Sequence, residues 1–365
     1  MKTPAFLKKG DTIGLVAPSF GAVDEPYATR LAAAIRQFEE RGYRVRAADS
    51  VYRNDGLGIS TDPETAAADV MKFYLDDEID ALFSVGGGEL MNETISHIDF
   101  EKLGAARPKW YMGYSDNTNF IMPMALIGGV PGIYGPCATS FGKQWEATEQ
   151  DAFMLLEGRG GTVHGYEKYE LPWDVSDTEE GTDGSAAPEE KDPLAPYALT
   201  EPKILTSFIP DGRRLVKAPQ DEEIRFSGML LGGCLDILTN LSGTEFDRVK
   251  AFCAEYGKVI WVIEACDLSP MSIRRSVWTL LHQGWFDTAA GFLIGRPLAS
   301  FRREMMGVNA YNAVTDVLAP CGVPVIMDCD IGHVAPMMPL AIGSPAAVRV
   351  RGNDLSVSMS VFPES

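Results

Sequence analysis

The chain has 365 residues, 45% hydrophobic and 23% charged, a balance that excludes a disordered chain, a collagen and a coiled coil and suggests two domains at roughly 150 residues each. Its 51 acids against 32 bases give a net charge of −19, which argues against nucleic acid and anionic membranes as partners. No stretch reaches the roughly 18 apolar residues that span a bilayer, and Met1–Gly10 carries lysines without an apolar core, so it reads as a cytoplasmic start rather than a signal peptide.

Thr12–Ala17 reads as a short buried strand, stopped by Pro18 and Ser19. Residues 25–41 carry apolar positions at helical spacing and are closed by Gly42. Tyr43–Ala48 reads as a second strand. Thr61-Asp62-Pro63-Glu64 has the cap, the early proline and the acid of a helix start. Ala81–Val85 is a third strand running into Gly86-Gly87-Gly88, and Trp110–Gly113 is a fourth. This β-α-β-α rhythm predicts a parallel sheet with helices on both faces, whose ligands sit outside the carboxyl ends of the strands. Residues 174–192 hold eight acids and one lysine among small residues and proline, a composition that reads as a mobile loop or linker. Beyond residue 202 the pattern is strand-rich. Val259–Ile263 is wholly apolar, Ser272–His282 is helical, and Ala290–Ile294, Val323–Met327 and Val348–Val350 are further strands. The expected division is an N-terminal α/β domain at 1–165, an acidic interdomain loop at 166–201 and a C-terminal domain at 202–365.

Four segments carry chemistry. Gly113-Tyr114-Ser115-Asp116-Asn117-Thr118 lies between a strand and a helical pattern. It fits a nucleophile turn that presents the Ser115 hydroxyl, with the Asp116 N–H aimed at an oxyanion; Ser and Asp there also suit a plain helix cap. The Gly86–Gly88 turn can offer backbone N–H groups to an oxyanion or a phosphate. Glu264 ends an apolar run where a carboxylate needs a partner, either a histidine or Arg274 or Arg275 in the next helix. His333 follows a strand in a loop punctuated by Gly332 and Pro336, the place for a base. The other histidines, His97, His164 and His282, fall in helical patterns or a surface turn. The six cysteines form no C-x-x-C pair and read as reduced thiols. Taken together, a serine, a histidine, an acid and two donor turns make up what acyl transfer through a covalent intermediate requires.

These segments resemble the serine LD-carboxypeptidase (muramoyltetrapeptide carboxypeptidase) family, in particular its microcin immunity hydrolase branch. The resemblance rests on Leu7–Ser19, Asp80–Gly88, Met112–Thr118, Tyr134-Gly135-Pro136, Gly228–Leu238, Leu241–Thr244, Ile263-Glu264, Arg275–Gly284, Ile294-Gly295-Arg296, Gly332-His333 and Pro339–Gly343. It implies a Rossmann-like parallel-sheet domain with a smaller strand-rich α/β domain, and a cytoplasmic homodimer needing no metal or other cofactor. It implies a triad of Ser115, Glu264 and His333, with oxyanion donors from Asp116 and Gly88 or Gly87. The implied activity is amide hydrolysis in small peptides, releasing a terminal D-alanine in cell-wall recycling. The alternative is cleavage of peptidyl- or aminoacyl-adenylate amides as self-immunity, with Trp173 or Trp145 stacking on the base and Arg275 correcting the local charge. Two positions depart from the family pattern. Cys234 stands where Asn is usual after Gly232-Gly233, and Ala265 follows the acid where Asp is frequent.

Overall fold

The computed structural model describes residues 1–172 and 192–363. The acidic stretch other than Asp192, and Trp173, therefore lie outside the described residues. Among the described residues no helix is long and apolar enough to cross a membrane.

The first sheet has six strands in the order Leu340–Ile342, Gly132–Tyr134, Trp110–Gly113, Ala81–Ser84, Thr12–Val16, Arg44–Ala47. All neighbours are parallel except the first pair. Thr12–Val16, Ala81–Ser84 and Trp110–Gly113 are buried along their whole length, as strands covered on both faces must be. The helix Tyr27–Glu40 sets Phe38 edge-on to Phe83 of the sheet, with ring centroids 5.5 Å apart. The helix Pro63–Leu75 starts where Asp62 accepts the Thr65 N–H at 2.9 Å with Pro63 in the first turn, the start that the sequence predicts.

The second sheet has nine strands, in the order Arg214–Lys217, Thr206–Asp211, Val325–Cys329, Ala289–Gly295, Val259–Glu264, Glu223–Cys234, Pro345–Arg351, Asp354–Met359, Thr162–His164. Its middle is parallel, from Val325–Cys329 to Glu223–Cys234. Antiparallel strands extend both edges. The chain exchanges one strand in each direction. Thr162–His164 joins the second sheet and Leu340–Ile342 joins the first, so the two halves share one hydrophobic core. Sequence periodicity cannot see such an exchange, because a three-residue strand carries no partner information.

The loop that follows Val325–Cys329 is pinned by charge. Arg296 and Asp330 are both fully buried and pair at 2.6 Å. The Arg296 guanidinium lies 4.1 Å from the Tyr169 ring centroid, and the other Asp330 oxygen accepts the Tyr166 N–H at 2.7 Å. Removing one member of a buried pair leaves an uncompensated charge, so Asp330→Ala should lower the unfolding free energy by about 3–5 kcal/mol in urea titration. Removing Asp55 from its exposed pair with Arg53 should leave the urea midpoint essentially unchanged.

Candidate active site

The strand Trp110–Gly113 ends in a turn that places Ser115 at φ +62°, a left-handed conformation that costs a non-glycine residue and recurs at functional turns. A short 3₁₀ turn, Ser115–Asn117, and the helix Thr118–Pro123 follow. Gly113 is required here, because a Cβ would meet the Asn117 side chain at 2.7 Å. Asn117 accepts from the Tyr111 hydroxyl at 2.5 Å and donates to the carbonyls of Gly86 and Tyr114 at 3.0 and 2.9 Å. It thus ties the serine turn to the glycine turn. The buried Asp116 carboxylate accepts from the Ser19 hydroxyl, the Met91 N–H and the Asn119 amide at 2.5, 3.0 and 2.8 Å. Its side chain holds the loops together and does not point to substrate.

Glu264 closes the strand Val259–Glu264 and is buried. His333 comes from the loop after Val325–Cys329. The His333 Nε2 lies 2.9 Å from Ser115 Oγ, and its Nδ1 lies 2.9 Å from Glu264 Oε2. The chain from hydroxyl to imidazole to carboxylate is therefore continuous. The alternative pairing of Glu264 with the following helix does not form. Arg274 instead reaches Asp316 at 3.2 Å and the Asn312 carbonyl at 2.6 Å. Gly332 packs directly on the carboxylate: a Cβ there would lie 2.3 Å from Glu264 Oε2.

Burial works against both charges of this pair, and each partner overrides it for the other. Desolvation would raise the Glu264 carboxyl, but His333 together with donors from Tyr134 and Cys234 holds it below its ordinary value. Desolvation would lower His333, but Glu264 raises it well above the ordinary 6.5, with the Cys266 thiol adding to the shift.

Ser115, Gly86, Gly87, Gly88 and His333 line a cleft of about 390 Å³. Gly87 faces the nucleophile, for a Cβ on it would sit 3.3 Å from Ser115 Oγ. Gly88 turns toward Ser19 instead, where a Cβ would lie 2.0 Å from the hydroxyl oxygen. The Gly87 carbonyl accepts the Phe20 N–H at 3.1 Å, while the N–H groups of Gly87 and Gly88 donate to no described group. Tyr27, Arg30, Glu89, Lys143 and Tyr197 complete the polar wall. Burial and the neighbouring acids Asp267, Asp116 and Asp236 raise the Glu89 carboxyl.

Two expected substrate contacts are placed elsewhere. Trp145 is turned into the core. Its indole donates to the Phe141 carbonyl at 3.0 Å, its ring lies against Phe153, and the Arg41 guanidinium covers it at 3.4 Å. Arg275 is exposed on the helix Pro270–His282, where it donates to the Ser272 hydroxyl at 2.9 Å. It lines a separate groove with Trp278 and His282. Cys234 has its thiol 3.3 Å from Asp236 Oδ2, and that same oxygen accepts the Cys266 N–H at 3.1 Å. Sequence reasoning missed Tyr134 as a site residue. Its buried hydroxyl donates to Glu264 Oε1 at 2.5 Å and accepts the Ser115 N–H at 3.0 Å. The only sequence sign of it is the Tyr134-Gly135-Pro136 segment already noted.

Comparison with known proteins gives the family and the fold. Residues 13–135 match the description "LD-carboxypeptidase N-terminal domain", and residues 227–348 match "LD-carboxypeptidase C-terminal domain". A probable murein peptide carboxypeptidase of Bacillus subtilis is 26% identical, covering 94% of this chain and 91% of its own. The microcin C7 self-immunity protein MccF of Escherichia coli is 23% identical, covering 96% and 94%. In structure, MccF in complex with glutamyl sulfamoyl guanosine superposes with a TM-score of 0.77 at 21% identity, covering 99% of both chains. A muramoyltetrapeptide carboxypeptidase from Oxalobacter formigenes gives 0.69 at 17% identity, covering 96% and 99%. With both family descriptions matched in order, and relatives aligned nearly end to end, the chain belongs to the LD-carboxypeptidase family of peptidases.

Proposed function

We propose that this protein is a serine hydrolase acting as an LD-carboxypeptidase, which releases a terminal D-alanine from muropeptides through an acyl-enzyme. The observation that carries the reading is the Ser115–His333–Glu264 hydrogen-bond chain opening on a cleft. His333 Nε2 takes the Ser115 proton as Oγ attacks the amide carbonyl. Glu264 holds the imidazole by Nδ1–H and stabilises it when charged. Two backbone N–H groups, that of Asp116 and one from Gly87 or Gly88, receive the oxyanion. His333 then gives its proton to the leaving amine. Water attacks the ester with His333 again as base, and Ser115 regains its proton. The proposal includes a cytosolic homodimer that uses no metal.

A second reading has its own support. The likeness to MccF bound to glutamyl sulfamoyl guanosine, together with Tyr27 and Tyr197 on the cleft wall, favours hydrolysis of an aminoacyl- or peptidyl-nucleotide amide. A hydrolysis panel followed by mass spectrometry separates the two. It sets a tetrapeptide ending in D-alanine beside an aspartyl sulfamoyl adenosine amide. D-alanine release alone supports the first reading, and cleavage of the nucleotide amide alone supports the second.

Ser115→Ala, Glu264→Ala and His333→Ala should each lower turnover of the cleaved substrate by about 10³-fold or more, and thermal melts should show each variant folded. An active His333→Ala variant would sink the triad. The pH profile follows from the raised His333. Only the neutral imidazole can accept the serine proton, so kcat/KM should climb with pH through an inflection above 6.5. Glu264→Gln removes the charge that raises His333 and should move the residual inflection to lower pH.

A further inference from the structure

We infer that Tyr134 is a positioning residue of the reaction, its single hydroxyl fixing the triad acid and the nucleophile turn relative to each other. The inference rests on the Ser115–His333–Glu264 reading above.

Tyr134 ends the strand Gly132–Tyr134, with Gly113 of the serine strand paired to it on one side and Leu340, seven residues past His333, on the other. It therefore stands between the chain that leads into Ser115 and the chain that leads away from His333. Its side chain is fully buried and points across to the second sheet, where Glu264 ends the central strand.

The proton assignment at this oxygen is fixed by chemistry. An ionised carboxylate can only accept, so the Tyr134 hydroxyl donates to Glu264 Oε1. The backbone N–H of Ser115 can only donate, so it fills a lone pair of the same oxygen. Burial and the adjacent Glu264 raise the Tyr134 hydroxyl well above its ordinary value, so it stays a neutral donor.

Two consequences follow. Glu264 has one oxygen on Tyr134 and the other on His333, so its carboxylate plane cannot turn away from the imidazole. The N–H of Ser115 is already spent, so the donor on that side of an oxyanion is left to Asp116. The groups that face the pair are few. Cys234 reaches Glu264, while Cys266 and Glu89 act on His333, and the Tyr114 ring lies 5.1 Å from the imidazole. Among the hydrogen bonds of the described residues, only that of Tyr134 ties the acid to the nucleophile's own backbone.

The test is a double-mutant cycle read by the acylation rate of an alkyl fluorophosphonate, which needs no knowledge of the natural substrate. Ser115→Ala is the control. Tyr134→Phe removes one oxygen and keeps the ring. We expect it to slow labelling about tenfold or more in the wild-type background, and by less than about twofold in Glu264→Ala, which leaves the Tyr134 hydroxyl no carboxylate to hold. The low-field proton resonance of the His333 Nδ1–H should shift in Tyr134→Phe. An equal slowing in both backgrounds with an unmoved resonance would assign Tyr134 to packing alone and overturn the inference. Should Tyr134→Phe fail to fold, fluorotyrosine at position 134 changes the hydroxyl acidity without deleting an atom. A labelling rate that ignores that acidity overturns the inference equally. Wild-type protein that labels no faster than Ser115→Ala overturns the triad reading, and the role of Tyr134 with it.

Discussion

A carboxylate buried at the end of an apolar strand is the constraint on which this structure turns. Glu264 follows five buried hydrophobic residues and is itself shut off from water. An isolated charge in that place is prohibitively costly, so the fold must bring donors to it. They arrive from three directions: His333 from the loop after the neighbouring parallel strands, Tyr134 from the other sheet, and Cys234 from the adjoining strand. The same demand explains Gly332, since any side chain there would occupy the space of the carboxylate. Satisfying one charge thus assembles a hydroxyl, an imidazole and an acid in line.

The joining of the two sheets serves the same end. The helix that leaves the serine turn docks on the second sheet, where Thr118 accepts the Cys234 N–H at 3.0 Å. Gly233 lies so close to Thr118 that a Cβ would come within 2.4 Å of its hydroxyl. The exchanged strand Leu340–Ile342 carries the chain from the histidine loop back to the serine sheet. The hydrogen bonds that link Ser115, His333, Glu264 and Tyr134 thus span both sheets. Groups tied to strand ends and to each other in this way are pre-organised, which is what the proposed reaction needs of them.

Much of this was legible in the sequence because strand ends announce themselves. The apolar runs before Gly86, Gly113 and Glu264 are short and bounded by turn residues, so the residues just past them mark the carboxyl edge of a sheet. A carboxylate ending the run Val259–Ile263 is a local contradiction, and such contradictions point to sites. Tyr134 offered no such sign. A tyrosine in a short apolar strand reads as core, and its meaning depends on a residue 130 positions away. Asn117 stands where a Gly-x-Ser-x-Gly turn closes on its second glycine, and no local pattern shows that its amide is what joins two turns. Trp145 erred in the opposite direction. The resemblance implies a ring stacked on a base, whereas Phe38 of an earlier helix and the nearby Phe141 and Phe153 hold it in an aromatic cluster.

The overall charge of −19 likewise says less about the substrate than the walls of the cleft do. Charges act on a bound molecule within about a Debye length, some 8 Å at physiological salt, and farther ones are screened. Arg275, the expected local correction, lines a separate groove. Arg30 and Lys143 supply positive charge inside the cleft, whereas Asp24 and Glu89 supply negative charge. Glu89 borders the Gly86–Gly88 turn on the cleft wall, and His333 acts on its carboxylate. The charge that a bound molecule meets is therefore set by the mixed signs of the cleft wall more than by the protein's total.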